Sequence, residues 1–312
     1  MKPLRSVALL LLATACVAPT RRAVPPGPPT PPPAPGQPIA PPPSTMVGMA
    51  MFGLQGTPGQ GALLTGLAPQ GTALLLLDGQ PVRVAADGRF LIGFGRDAAP
   101  SALLEARMQD GRLLRLPLTV APRAWDISTI DTLFGGGTPS AAFERLRAPE
   151  LAQIAAAKAA NADSDGWRQH FAWPAYGRIS TLFGSQRIYK GGVRGQYHGG
   201  LDIARYPDAP SIAGTPARAP ADGVVVLATD HAFTLEGNLV MIDHGFGLIS
   251  ALMHLSAIEV HNGDHVRQGQ EIGLIGATGR ATGPHLHWGM TWKDQRIDPL
   301  LLAGPMPAAA PR

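Results

Sequence analysis

Four histidines and one aspartate stand at spacings that suit metal chemistry. His198 and Asp202 are four residues apart, His285 and His287 are two apart, and His254 lies between the two pairs. Eight of the nine histidines follow residue 190, so the chemistry is expected in the C-terminal part of the chain. Imidazole nitrogens and carboxylate oxygens form mixed ligand sets that zinc accepts.

The first pair needs a chain reversal before both side chains can reach one ion. On a flat strand His198 and Asp202 would stand about 13 Å apart. The intervening Gly199 and Gly200 disfavour a helix. The sequence therefore predicts a glycine turn that leads into a strand, with both side chains folded onto one metal.

The second pair lies in Gly283-Pro284-His285-Leu286-His287. Residues two apart on a strand point to the same side, so the two imidazoles are predicted to be neighbours, with Leu286 turned into the core. One histidine would bind the metal while the other handles a proton. With His198 and Asp202 this makes three protein ligands and an open fourth position, which is typical of catalytic zinc and lowers the pKa of a bound water to about 7.

His254 stands among apolar residues near the end of an apolar run that begins at Leu248. Taken alone, this environment favours a satisfied core histidine over a catalytic one. The other two motifs shift the balance toward a role in catalysis.

The stretch from His198 to Pro299 resembles the lysostaphin-like, or LytM-type, zinc peptidases of peptidoglycan. The matching elements follow the family order: His198-x-x-x-Asp202, Ala219-Pro220-Ala221-Asp222-Gly223, Gly237-Asn238, Ile242-Asp243-His244-Gly245-Phe246-Gly247, His254-Leu255-Ser256, Gly263-Asp264, Gly269-Gln270-Glu271-Ile272-Gly273, Gly276-Ala277-Thr278-Gly279, Thr282-Gly283-Pro284-His285-Leu286-His287 and Asp298-Pro299.

The resemblance implies that His198, Asp202 and His287 bind Zn²⁺ and that His254 and His285 are catalytic histidines that do not bind it. It implies hydrolysis of peptide bonds in the stem peptides or cross-links of peptidoglycan. His285 is expected to take the proton from water, and His254 to hydrogen-bond the oxyanion or the attacking oxygen. Two departures are Leu252, where many members carry Tyr, and Trp288, which is either a core aromatic or a wall of the substrate groove.

A second interpretation comes from the same resemblance. Some relatives have lost metal residues and act by binding and activating cell-wall amidases, so an amidase or another divisome protein is a candidate partner. The presence of all five site residues favours the enzyme. A purely structural zinc module fits poorly because it would need a fourth protein ligand.

The expected fold class is mainly β: a C-terminal antiparallel β-sheet metallopeptidase domain, preceded by a small β-sandwich-like domain and a short helical linker. Apolar runs separated by Asp-Gly turns predict the small domain, and propensity predicts a helix over 143–160. The expected segments are a signal peptide at 1–16, a Pro-rich tether at 17–45, the small β-domain at 46–122, the linker at 123–172, the peptidase domain at 173–302 and a tail at 303–312.

The N-terminus reads as a lipoprotein signal. Lys2 and Arg5 precede a short apolar run that ends in Ala13-Thr14-Ala15-Cys16, which holds the sole cysteine of the sequence. An ordinary signal peptide is the alternative interpretation. Lipidated Cys16 would anchor the protein to a membrane on its periplasmic side. The resemblance to Gram-negative lipoproteins, with Val17 and not Asp after the cysteine, favours the outer over the inner membrane. A net charge of +4 does not indicate nucleic acid and is compatible with an anionic wall or envelope surface.

Overall fold

The computed structural model describes residues 48–134 and 140–307. All of these residues lie within one compact unit. Strands dominate it, so the expected mainly β class is confirmed. Within the described ranges, no helix combines the length and the apolar character needed to cross a membrane. The predicted signal peptide, the tether and Cys16 lie outside the described residues, so those expectations remain predictions.

The N-terminal part contains two antiparallel sheets. One pairs β1 with β4, and the other has the order β3-β2-β5-β6. The strands are β1 (Leu63–Leu67), β2 (Thr72–Leu77), β3 (Gln80–Val82), β4 (Arg89–Gly93), β5 (Ser101–Met108) and β6 (Leu113–Thr119). Asp78 and Gly79 join β2 to β3 with φ values of 49° and 78°, as expected of a tight hairpin turn. The hairpin predicted at Asp78-Gly79 is therefore confirmed.

A helical segment follows. Strand β7 (Ile127–Thr129) precedes helix α1 (Ala141–Ala159), and a 3₁₀ turn follows at Gly166–Arg168. The predicted helix is confirmed within two residues at its start and one at its end. The Ser140 hydroxyl accepts a hydrogen bond from the Phe143 N–H, which caps the helix.

The C-terminal part is built on one ten-stranded sheet with the main order β16-β13-β14-β15-β18-β11-β8. All its pairs are antiparallel; β17 joins β12 and β15, and β19 joins β18. The elements are β8 (Arg178–Thr181), β9 (Gln186–Tyr189), β10 (Val193–Arg194), β11 (Gly200–Ala204), β12 (Pro216–Arg218), β13 (Gly223–Ala228), β14 (Asn238–Asp243), β15 (Leu248–Ile258), β16 (His265–Val266), β17 (Glu271–Ile275), β18 (His285–Trp292), β19 (Gln295–Ile297) and helix α2 (Pro299–Ala303). Strands β9 and β10 form a separate small sheet with β7.

The two parts share a continuous hydrophobic core. Gly93 of β4 lies so close to the C-terminal sheet that a Cβ there would come within 2.9 Å of Trp292 and 3.0 Å of Ile297. Buried Arg96 donates a hydrogen bond to the Gly184 carbonyl, 3.0 Å away, which ties the N-terminal part to the loop before His198. The predicted domain boundaries themselves stay a prediction.

Candidate metal centre

Two adjacent strands bring the first three site residues together. Asp202 of β11 lies directly opposite His287 of β18, and His198 precedes β11 by two residues. The Nε2 atom of His198 lies 3.0 Å from the Oδ1 atom of Asp202 and 3.0 Å from the Nδ1 atom of His287. The Asp202 Oδ1 and His287 Nδ1 atoms are 2.9 Å apart. The predicted convergence is therefore observed, although Gly200 already belongs to strand β11 and the structure has no turn at Gly199 or Gly200.

The donor chemistry of this cluster fits a divalent metal. The Nδ1 atom of His198 faces the Leu182 carbonyl at 3.2 Å, so in a neutral ring that nitrogen donates and Nε2 carries a lone pair. That lone pair points at a carboxylate and at a second imidazole, two further electron donors. Three donor atoms this close, two nitrogens and one oxygen, match the ligand set that zinc prefers.

The electrostatics of the cluster favour an ionised Asp202 carboxylate and a neutral His287 imidazole. Burial acts to raise the pKa of Asp202, but the contacts from His198 and His287 outweigh it and hold that pKa well below its usual range. Burial lowers the pKa of His287. Both shifts keep the groups in the protonation state that a metal ligand requires.

Gly200 allows the two strands to approach each other at the cluster. A Cβ at this position would lie 2.3 Å from the Trp288 carbonyl oxygen and 2.8 Å from the Nε2 atom of His287. The first of these contacts involves the backbone, which cannot move aside as a flexible side chain can. Gly200 is therefore required for the position of the His287 ring.

His285 and His254 lie beside the cluster with matching orientations. The Nδ1 atom of His285 faces the Gly283 carbonyl at 2.8 Å, and that of His254 faces the Thr278 carbonyl at 2.9 Å. Each Nδ1–H therefore donates to the backbone in the neutral ring, which leaves Nε2 as an acceptor. The two ring centroids are 4.8 Å apart.

The environment of the cluster also acts on these two rings. The Nε2 atom of His285 lies 3.6 Å from the Oδ1 atom of Asp202. Burial lowers the pKa of His254 to about 4, so this ring is neutral near pH 7.

The backbone at His254 is strained. Its φ of 66° lies in the left-handed region, which is uncommon for residues other than glycine. Strand β15 changes partner here: Met253 pairs with His287 of β18, whereas Leu255 pairs with Ile275 of β17. His254 is the residue between these two pairings, and its irregular backbone directs its ring toward the metal ligands. Strained backbone conformations of this kind are often found at functional sites.

The two positions that depart from the family pattern belong to the core. Leu252 and Trp288 lie opposite each other on β15 and β18 and are fully buried. Trp288 is thus a core aromatic and does not form a groove wall. His244 is fully buried and faces the Asp222 carbonyl and the Ser250 hydroxyl at 2.7 and 2.8 Å, so it supports the fold from within the core.

The carbonyls that orient the site histidines were not identified from the sequence. Thr278 and Gly283 lie in segments that match the family pattern, so the sequence indicated that these positions matter. It did not indicate that their carbonyls orient histidines. Leu182 carried no signal, because a backbone acceptor can be any residue type.

A polar cleft of about 520 Å³ opens beside the cluster. It crosses β8, at one end of the sheet, then β11 and the start of β18. Its lining includes Arg178, Ser180, Asp202, Arg205, Thr282 and His285. A cleft of this size next to a candidate metal centre has room for a peptide.

Comparison with known proteins agrees with this site. Residues 196–299 match the sequence profile of Peptidase family M23. Over 135 residues the chain is 37% identical to the peptidoglycan DD-endopeptidase ShyA of Vibrio cholerae, covering 43% of this chain and 30% of that protein. Over 132 residues it is 41% identical to the DD-carboxypeptidase/endopeptidase Mpg of Neisseria meningitidis, covering 42% of this chain and 28% of that protein.

A solved structure extends the similarity beyond the matched third. A crystal structure of a candidate M23 peptidase from Pseudomonas aeruginosa superposes with a TM-score of 0.58 at 27% identity. It covers 83% of this chain and 99% of that chain. The chain spans only about a third of the length of the curated relatives named above. The profile, these relatives and the shared fold agree in identifying residues 196–299 as a Peptidase family M23 domain.

Proposed function

We propose that the protein is a zinc-dependent endopeptidase that hydrolyses peptide bonds in the stem peptides or cross-links of peptidoglycan. The observation that carries the proposal is the convergence of His198, Asp202 and His287 within 3.0 Å of one another. The relatives named as peptidoglycan DD-endopeptidase and DD-carboxypeptidase/endopeptidase support this substrate class.

In this proposal the three converging residues hold the metal. When bound, zinc lowers the pKa of a water molecule and polarises a carbonyl group. His198 and His287 would supply nitrogen donors and Asp202 an oxygen donor, the three-ligand protein set that is typical of catalytic zinc. The Leu182 carbonyl fixes the orientation of the His198 ring, and such supporting contacts strengthen metal binding.

The remaining two histidines handle protons. The acceptor Nε2 of His285 takes a proton from the attacking water and returns it to the leaving amine. His254 is neutral near pH 7 and presents a second acceptor nitrogen that orients the same water by hydrogen bonding. The carbonyls of Gly283 and Thr278 keep both rings in this tautomer.

The alternative of an amidase-activating protein without hydrolytic activity is less well supported. A regulator has no need to keep a complete ligand set together with two oriented histidines. All five residues are present here, and the three candidate ligands lie within one cluster.

The test is digestion of a purified muropeptide dimer that contains one peptide cross-link. Mass spectrometry of the products with and without a chelator reads the cleaved bond and the metal requirement together. We expect two monomers without chelator, an intact dimer with it, and recovery when zinc is restored. Intact dimer under all three conditions, with zinc bound to the protein, would favour the amidase-activating alternative.

We also propose that Cys16 is lipidated and holds the protein on the periplasmic face of the outer membrane. The support is the Ala13-Thr14-Ala15-Cys16 sequence after a short apolar run, together with the Pro-rich stretch that follows. Metabolic labelling with a fatty acid should mark the wild type and leave Cys16→Ser unlabelled. Equal labelling of both would end the lipidation proposal, and sucrose-gradient fractionation reports which membrane carries the protein.

A further inference from the structure

Helix α1 lies outside the residues that match Peptidase family M23, yet it contacts a turn beside the site. This turn comprises residues 233–237 between β13 and β14. Phe233 and Gly237 close it with two backbone hydrogen bonds of 2.9 and 3.0 Å. Phe233 is buried in a small apolar cluster with Ala157 of the helix.

A buried ionic network attaches the helix to this turn. Arg147 donates to both carboxylate oxygens of Glu236, at 2.6 and 2.8 Å, and to Glu150 at 2.9 Å. Glu150 in turn accepts from the backbone N–H and the hydroxyl of Thr234, at 2.7 and 2.6 Å. Arg147 and Glu150 are only 8% and 4% exposed, so their charged contacts are largely shielded from solvent, which strengthens them. We call these four residues the Arg147 clamp.

The turn held by the clamp contacts His254 at its backbone. The Glu236 carbonyl accepts a hydrogen bond from the backbone N–H of His254 at 2.9 Å. This contact forms at the residue whose φ is left-handed. A strained conformation of this kind persists only where the surrounding structure fixes it from several sides.

The same turn also fixes the group that orients the His254 ring. Gly237 lies directly against Thr278, since a Cβ on Gly237 would fall within 2.5 Å of three Thr278 atoms. The N–H of Asn238 donates to the Thr278 hydroxyl at 2.9 Å. The carbonyl of Thr278 then accepts from the Nδ1 atom of His254 at 2.9 Å. Backbone and ring of His254 therefore both depend on the position of one turn.

We propose that Arg147 and Glu150 are positioning residues for His254, and that helix α1 thereby maintains the geometry of the active site. The inference rests on the proposed function, because it assigns to these residues an effect on the peptidase reaction. The clamp contacts no candidate metal ligand. Its loss is therefore expected to slow turnover without releasing the metal.

The experiment compares Arg147→Met with Arg145→Met, which removes an exposed guanidinium from the same helix. For Arg147→Met we expect kcat on a muropeptide dimer to fall at least about 10-fold, since small displacements of a reacting group are costly. KM should stay within about two-fold and zinc content should be unchanged, because substrate binding and metal ligation do not involve the clamp. Arg145→Met should match the wild type in all three quantities.

Two further measurements separate positioning from general support of the fold. Amide hydrogen exchange at His254 should be faster in Arg147→Met, whereas exchange along β18 should be unchanged. Glu236→Gln retains one of the two acceptor atoms that Arg147 contacts and removes the charge, so its kcat should lie between those of Arg147→Met and the wild type.

Wild-type kcat in Arg147→Met, or a fall in zinc content that parallels the fall in kcat, would overturn the inference. If Arg147→Met does not fold, Arg147→Lys replaces it: one ammonium cannot make the paired contacts with Glu236, so an unchanged kcat would also overturn it. If the wild type cleaves no peptide, the proposed function fails. The positioning of His254 is then tested by hydrogen exchange alone, and an unchanged exchange rate of the His254 amide in Arg147→Met would reject it.

Discussion

The Nε2 atom of His198 and the Nδ1 atom of His287 lie 3.0 Å apart, although 89 positions separate the two residues in the chain. The rings present different nitrogens to the same point. His198 uses Nε2 because its Nδ1 faces the Leu182 carbonyl, and His287 uses Nδ1 with its other nitrogen close to Gly200. The ligand set is thus defined by backbone neighbours as well as by the two histidines.

Replacing the two histidines of β18 should separate metal binding from turnover. We expect His287→Ala to lose zinc, because ligand loss costs more than the roughly 10- to 100-fold typical of supporting residues. His285→Ala should keep zinc and lose cleavage by about 100-fold or more, as expected for a general base. Metal analysis and muropeptide cleavage check both, with exposed His261→Ala as the control. Full zinc content in His287→Ala would contradict the assignment.

Gly200→Ala should displace strand β18 and the His287 ring through a steric clash with the backbone. The added Cβ would meet the Trp288 carbonyl at 2.3 Å and the Nε2 atom of His287 at 2.8 Å. We expect a loss of about 1–3 kcal/mol in the free energy of unfolding, together with weaker zinc binding. Gly283→Ala is the matched control, because a Cβ there meets no atom within 4 Å. Urea unfolding and zinc titration measure the two effects, and equal behaviour of the variants would refute the steric argument.

The buried ring of His244 should make stability depend on pH. Burial lowers its pKa from 6.5 to about 4. The unfolded chain therefore takes up a proton first as pH falls, and stability is lost progressively below about pH 6.5 until the folded pKa near 4. This group should contribute a loss of about 2 kcal/mol between pH 7 and pH 5.

Urea unfolding of metal-free wild type and His244→Gln over this pH range isolates the contribution. The variant is expected to be less stable at pH 7 and to show a shallower dependence on pH. Identical pH dependence in the two proteins would show that the His244 ring does not titrate as expected.

An ion pair between distant parts of the chain should contribute to stability. Arg123 lies 2.8 Å from the carboxylate of Asp298, which is almost fully buried and caps helix α2 through the Leu300 N–H. Arg123→Met would leave this carboxylate without its partner, at a cost of about 2 kcal/mol once the partial exposure of Arg123 is considered. Arg115→Met removes an exposed cation 3.8 Å from Glu105 and should change stability by less than about 0.5 kcal/mol. A smaller effect for Arg123→Met than for Arg115→Met would contradict this account.

The parts of the fold governed by local chemistry were predictable. Asp78-Gly79 adopts the positive φ values that its hairpin requires, and the segment of Ala, Leu, Glu and Arg after Ser140 forms the expected helix. The convergence of His198 and Asp202 was predicted from their spacing and from Gly199 and Gly200, which disfavour a helix, although the segment from Gly200 onward is an extended strand and not a turn. The alternation of His285 and His287 on one side of a strand is equally local.

Features that depend on distant contacts were not predictable. The left-handed backbone of His254 follows from the change of partner between β18 and β17, which nothing in the Met253-His254-Leu255 sequence reveals. Arg147 and Glu150 resemble ordinary surface charges of a helix. Their burial appears only when the turn at 233–237 is placed against that helix.

The close approach of Gly93 to Trp292 and Ile297 limits how the molecule can be engineered. A recombinant fragment that kept only residues 196–299 would expose an indole and an isoleucine side chain that are now covered, and it would lack the helix that carries Arg147. We expect such a fragment to self-associate and to refold poorly. We therefore expect a stable shortened protein to require the upstream sheets in addition to residues 196–299.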